Sequence, residues 1–163
     1  LHLKKLLLIP VFLVVCFFGM SFLAEISSAI FEALGSSSVL QNEATRQAET
    51  VAQLTHQEPF RLILSLIALA ILPAIGEEFI YRGILVKKIT EATGNHHFSI
   101  IISGIIFGAI HFQPVPLFAI ALMGILFGYI YYYTKNIWYS IIIHFLVNAL
   151  QILAFYIWPN LMT

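Results

Sequence analysis

Five apolar runs within 163 residues restrict this chain more than any other feature of its sequence. They extend from Leu3 to about Leu34, Phe60 to about Thr90, His97 to Phe112, Leu117 to Tyr133 and Trp138 to Trp158, roughly 16 to 30 residues each. Runs of that length match a bilayer hydrocarbon core of about 30 Å. Inside such a core every backbone N–H and C=O must find its partner within the protein, which leaves helices as the economical solution for separate apolar segments. The expected fold is therefore all-α, a polytopic membrane helix bundle with about five transmembrane helices. Composition agrees, with 60% hydrophobic and 10% charged residues, against roughly 45–50% and about 25% in soluble domains. Eight basic residues balance eight acidic ones. That neutrality argues against a nucleic-acid partner. The single cysteine, Cys16, excludes an internal disulfide framework and a cysteine-based zinc site.

Punctuation between the runs is clear. Gly35 and Ser36 to Ser38 should stop the first helix, and the stretch "NEATRQAETVAQL" within polar segment 35–59 has the helix formers for a short surface helix. The first run resembles a signal peptide, but its length and the lack of a small-residue cleavage site point to a retained helix. Pro59 suits the first turn of the second span, and Pro73 should kink or break it. Gly94-Asn95 and Lys135-Asn136 read as turns, "QPVP" as the end of the third span, and "YIYYY" as an interfacial aromatic belt. Lys4, Lys5, Lys87, Lys88 and Lys135 all fall on one side of a five-span arrangement, which the positive-inside rule makes cytoplasmic. The expected location is a bacterial plasma membrane, with the N-terminus in the cytoplasm.

Few strongly polar side chains interrupt the spans. Glu77, Glu78 and Arg82 lie in the second, His111 in the third, and His144 and Asn148 in the fifth. Each is costly in hydrocarbon and should face the bundle interior or a wet cavity. Glu78 and Arg82 are four residues apart, with the acid N-terminal, the better orientation for a helical pair. Glu77 points about 100° away and is left for another partner. A purely structural salt-bridge cluster is one reading, although two acids and one base leave a charge over. Counting about 1.5 Å per residue, Glu77, His111, His144 and Asn148 are expected to converge on a cavity near mid-membrane. The pairs Gly104/Gly108 and Gly124/Gly128 are spaced for close helix packing.

Several chemistries fit that set. A carboxylate and a histidine can deprotonate a water, and a histidine and an asparagine can donate to a developing oxyanion. Glu77, His111 and His144 could also hold zinc with an open position, but HExxH is absent. The serines lack a nucleophile motif such as GxSxG.

In their order the motifs resemble the CAAX-protease and bacteriocin-processing family, also called CPBP or Abi. EExxxR matches Glu77 to Arg82, FxxxH matches Phe107 to His111, and a histidine followed four residues on by asparagine matches His144 and Asn148. The resemblance covers roughly residues 60 to 155. It implies an intramembrane endopeptidase acting on a membrane-associated protein or peptide, in CAAX-type cleavage, bacteriocin processing or self-immunity. The family is commonly labelled a metalloprotease, while work on its prenyl-protein branch favours a glutamate-activated water and no cofactor. Carried over by motif, Glu77 is the general base assisted by His111, His144 and Asn148 form the oxyanion site, and Glu78 and Arg82 support it. Residues 1–59 are then an N-terminal transmembrane helix and polar loop, and residues 60–163 a catalytic bundle. The alternatives are a non-enzymatic immunity or scaffold protein of the same fold and a proton-coupled transporter. The transporter reading lacks an internal repeat.

The span arrangement predicts that single cysteines placed at Thr45 and Lys135 react with impermeant reagents from opposite sides of the membrane, with position 135 cytoplasmic. Labelling of both from the same side would contradict it.

Overall fold

The computed structural model describes residues 9–54 and 58–158. These form six helices and no strand: α1 (Ile9–Ala33), α2 (Ser37–Leu54), α3 (Pro59–Thr93), α4 (His96–Ala109), α5 (Leu117–Thr134) and α6 (Ile137–Ile157). The all-α bundle expected from the apolar runs is present. Among the described residues α3, α5 and α6 are long and apolar enough to cross a membrane. The helix of the third run is shorter than expected. It has 14 residues, or about 21 Å of rise, because regular winding stops at Ala109. Beyond it His111 N–H and Phe112 N–H reach back only to Gly108 and Ala109, each at 3.3 Å. Lys4 and Lys5 lie outside the described residues.

The helix ends follow from local chemistry. Gly35 adopts a left-handed φ of 72° after α1. Its N–H bonds to Glu32 O, and that of Ser36 bonds to Phe31 O, both at 2.9 Å. This paired closure is one that glycine permits readily. Gly94 closes α3 with φ 68°, and the Asn95 side chain then accepts from Phe98 N–H to start α4. Lys135 and Asn136 repeat the sequence of events between α5 and α6, with Asn136 accepting from Trp138 N–H. The polar segment forms the longer helix α2, which packs against α1, α6 and the start of α3.

α3 winds wide twice, at Ile67–Ile71 and at Phe79–Leu85. Proline explains the first. In an unbroken α-helix residue 73 would donate to the carbonyl of Leu69, and Pro73 has no N–H to give. The preceding turn expands so that Leu72 N–H bonds to Ile67 O, five residues back. The Leu69 carbonyl instead accepts from Asn148 Nδ2 of α6 at 3.3 Å. Pro73 thus widens α3 without ending it. No proline lies in the second wide turn, and its sequence supplies no comparable cause.

α4 and α5 pack most closely. A Cβ on Gly104 would lie 2.7 Å from the Ile125 backbone nitrogen, and one on Gly108 would lie 2.7 Å from Ala121 Cβ. α1 adds Met20 to a cluster of Met123, Phe127 and Ile143. A second cluster, Ala70, Ala149 and Ile152, joins α3 to α6. Gly104→Ala should destabilise the protein by about 1–3 kcal/mol, because backbone has to move. Gly76→Ala, where the added atom meets nothing within 4 Å, should change stability by no more than about 0.5 kcal/mol. Unfolding of the purified protein in detergent measures both.

Candidate active site

Arg82 lies in the second wide turn of α3 and is 1% exposed. A guanidinium at that burial needs both charge and hydrogen-bond partners. Nη1 donates to Glu78 Oε1 at 3.0 Å, and Nη2 donates to the Gly124 carbonyl of α5 at 2.5 Å. The rings of Tyr81, Phe107 and Phe127 lie 5.5–5.8 Å from the guanidinium carbon, within the range of cation–π attraction. The expected Glu78–Arg82 pair is therefore present.

That pair extends to α6. Glu78 is fully buried, and its Oε1 also lies 3.0 Å from His144 Nδ1. The imidazole stacks on Phe127, with centroids 4.9 Å apart. Its other nitrogen, Nε2, faces Glu77 Oε2 at 3.8 Å, too long for a hydrogen bond. Glu77 Oε2 is buried and has no hydrogen-bond partner among the described residues. The two adjacent glutamates thus address the two nitrogens of one histidine. Glu78 orients the ring, and Glu77 keeps an uncommitted oxygen. Two carboxylates and one guanidinium leave one formal negative charge in the cluster.

His111 follows the last turn of α4. Its Nδ1 lies 2.6 Å from the Phe107 carbonyl, one turn earlier. A carbonyl can only accept, so Nδ1 carries the proton and a neutral ring keeps its lone pair on Nε2. The Phe107 ring has its centroid 4.7 Å from that of His111 and 6.0 Å from that of His144. The FxxxH spacing therefore places a carbonyl under the histidine and an aromatic wall between the two imidazoles. Among the described residues, no hydrogen bond or ion pair joins His111 to Glu77.

Asn148 is one turn from His144 on α6, and its amide donates to the Leu69 carbonyl rather than to either glutamate. Glu77, Glu78, Arg82 and His144 thus form one cluster, with His111 reached through Phe107 and Asn148 held against the first wide turn. Sequence reasoning missed the carbonyls of Leu69 and Gly124 and the ring of Phe127. Position 69 had a signal, since it lies four residues before Pro73. Gly124 also had one, because its GxxxG spacing implied an accessible backbone.

The metal option can be tested on the donors. Glu78 and the Phe107 carbonyl hold the Nδ1 atoms of His144 and His111, which leaves each Nε2 for a ligand, but no three His, Cys, Asp or Glu side chains among the described residues are grouped to hold an ion. Glu77, His111 and His144 do not converge as a ligand set. Beside the cluster an apolar groove of about 260 Å³ runs between α3 and α6, lined by Ile71, Ala74, Ile75, Trp138, Ile141, Ile142 and Phe145. Ala74 is one turn before Glu78, and Ile141 is just under one turn before His144.

Fold and site together define a helical membrane protein with a carboxylate–imidazole–guanidinium cluster inside its bundle. The description "Type II CAAX prenyl endopeptidase Rce1-like" matches residues 59–150, and the chain belongs to that family. The match runs from the start of α3 into α6 and contains every site residue described above. No curated protein and no solved structure matches the chain. The protein is an integral membrane protein.

The geometry separates the two glutamates. Glu78→Gln should lower stability by about 3 kcal/mol, since it removes the counter-charge from a buried guanidinium. Glu77→Gln, which breaks no hydrogen bond, should unfold within about 0.5 kcal/mol of wild type. Unfolding of the two variants side by side in detergent is the measurement.

Proposed function

We propose that the protein is an intramembrane endopeptidase that hydrolyses a peptide bond of a membrane-anchored substrate by activating water with Glu77. The observation that carries this reading is the uncommitted Glu77 Oε2 facing the far nitrogen of a histidine whose near nitrogen Glu78 holds. Glu77 takes a proton from water as the oxygen attacks the scissile carbonyl. His111, with its lone pair on Nε2, accepts a hydrogen bond from the second O–H of that water, which keeps its proton, and so orients the nucleophile. The carbonyl becomes an oxyanion, which accepts from Nε2–H of protonated His144 and from the free N–H of the Asn148 amide. As the oxyanion collapses to a carbonyl and the C–N bond breaks, Glu77 returns its proton to the leaving amine, so the cycle closes without a net proton change. Arg82 holds Glu78 in place, and Glu78 in turn fixes the orientation of the His144 ring.

The apolar groove suits a substrate that presents an aliphatic residue or lipid chain beside its scissile bond. Family membership supports CAAX-type cleavage as the reaction class. Processing of a hydrophobic bacteriocin leader uses the same chemistry on an unprenylated substrate. We place the protein in a bacterial plasma membrane, with Lys87, Lys88 and Lys135 facing the cytoplasm. No cofactor is required by this scheme.

Purified protein should cleave a prenylated tetrapeptide-tailed substrate. An unprenylated hydrophobic leader peptide tests the second class. Glu77→Gln should abolish turnover. His144→Ala and Asn148→Ala should each lower it by about 10²–10³-fold, with metal content by mass spectrometry unchanged. Stoichiometric zinc in active protein, lost together with activity in His111→Ala and His144→Ala, would overturn the metal-free scheme. Absence of cleavage of either substrate class by intact protein would favour an immunity or scaffold role.

A further inference from the structure

Glu43 stands apart from its surroundings. It lies in α2, where Gln41, Asn42, Ala44, Thr45 and Arg46 are exposed, yet it is only 6% exposed itself. Its Oε2 accepts from the backbone N–H of Val115 at 2.9 Å. Val115 sits between Pro114 and Pro116, and prolines carry no N–H. Val115 therefore holds the sole backbone donor of those three residues, and a carboxylate from a distant helix takes it.

The segment so held begins at His111. Upstream, the histidine backbone is fastened by the loose 3.3 Å turns at the end of α4. Immediately after it, Phe112 adopts a left-handed φ of 51°, a conformation that a bulky residue keeps only when its surroundings impose it. Glu43 is an anchor on the downstream side, and α2 is braced by α1, α6 and the start of α3. α2 lies outside the family match, which starts at residue 59.

We propose that Glu43 is a positioning residue for His111, latching the 112–116 loop so that the imidazole is held at the reaction centre. This rests on the hydrolase reading above for its catalytic meaning. Misplacing a catalytic group by about 1 Å can cost about 10²-fold in rate. Loss of a latch four residues away should cost less.

The test compares Glu43→Ala with Glu43→Gln in full-length protein in detergent. Glutamine retains an acceptor oxygen and should keep the latch. In Glu43→Ala, hydrogen exchange at the Val115 amide should accelerate. kcat should fall by roughly tenfold with KM within about twofold, and the limb of the pH–rate profile that reports His111 should move. Glu43→Gln should restore all three. Unchanged Val115 exchange in Glu43→Ala would overturn the latch. Faster exchange with an unaltered kcat and pH profile would overturn the positioning role while leaving the hydrolase reading intact. If wild-type protein cleaves nothing, the hydrolase reading fails by itself. The imidazole titration of His111, followed by NMR in wild type and Glu43→Ala, then decides positioning. An identical curve in the two proteins would overturn it.

Discussion

A guanidinium held almost completely out of solvent is the constraint on which the rest of the site depends. In hydrocarbon an unpartnered Arg82 would cost several kcal/mol. The surrounding bundle is arranged to offset that cost. Glu78 supplies charge, Gly124 supplies a carbonyl, and three aromatic rings supply their negative faces. Each partner comes with its own packing requirement. The Gly124 carbonyl is reachable because α5 has no side chain there and lies against Gly104 of α4. Phe107 borders Arg82 and also carries the carbonyl that orients His111. Phe127 borders Arg82 and also stacks on His144. One buried cation therefore ties α3, α4, α5 and α6 to a common centre.

Much of this was legible in the sequence, and the reasons are local. Helix ends at Gly35, Gly94 and Asn136 follow from left-handed backbone and side-chain caps, which depend on neighbouring residues alone. The Glu78–Arg82 pair followed from four-residue spacing. What could not be read depends on which helix lies next to which. That His144 bonds to Glu78 rather than remaining a free donor is set by the α3–α6 approach. That Asn148 meets Leu69 depends on a carbonyl that Pro73 leaves unused and on α6 passing beside it. The burial of Glu43 was hidden because its neighbours along α2 are polar and exposed, so periodicity gave no sign of an inward face.

The two wide turns of α3 deserve comparison. One has a covalent cause and ends up serving α6 through Leu69. The other runs over Phe79–Leu85, directly after the paired glutamates, and contains Tyr81 and Arg82. Wide turns of this kind recur at functional sites, since they alter the angle at which successive side chains leave the helix. Here Tyr81 and Arg82 are both buried, while Glu77 just before the turn retains partial exposure. A single helix thus presents a sealed ion pair and a partly exposed carboxylate on consecutive residues.

The brevity of α4 has a consequence for the lipid around it. Its 14 residues give about 21 Å of rise against a hydrocarbon layer of about 30 Å. Its neighbour α3, with 35 residues, exceeds that thickness. Such hydrophobic mismatch is relieved by local thinning of the bilayer, at fractions of a kcal/mol per Å. The shortfall adjoins the end of α4 where His111 is held. Headgroups and bulk water drawn down at that point would approach the imidazole from outside the bundle, a short aqueous route through an otherwise dry layer that the proposed hydrolysis would use.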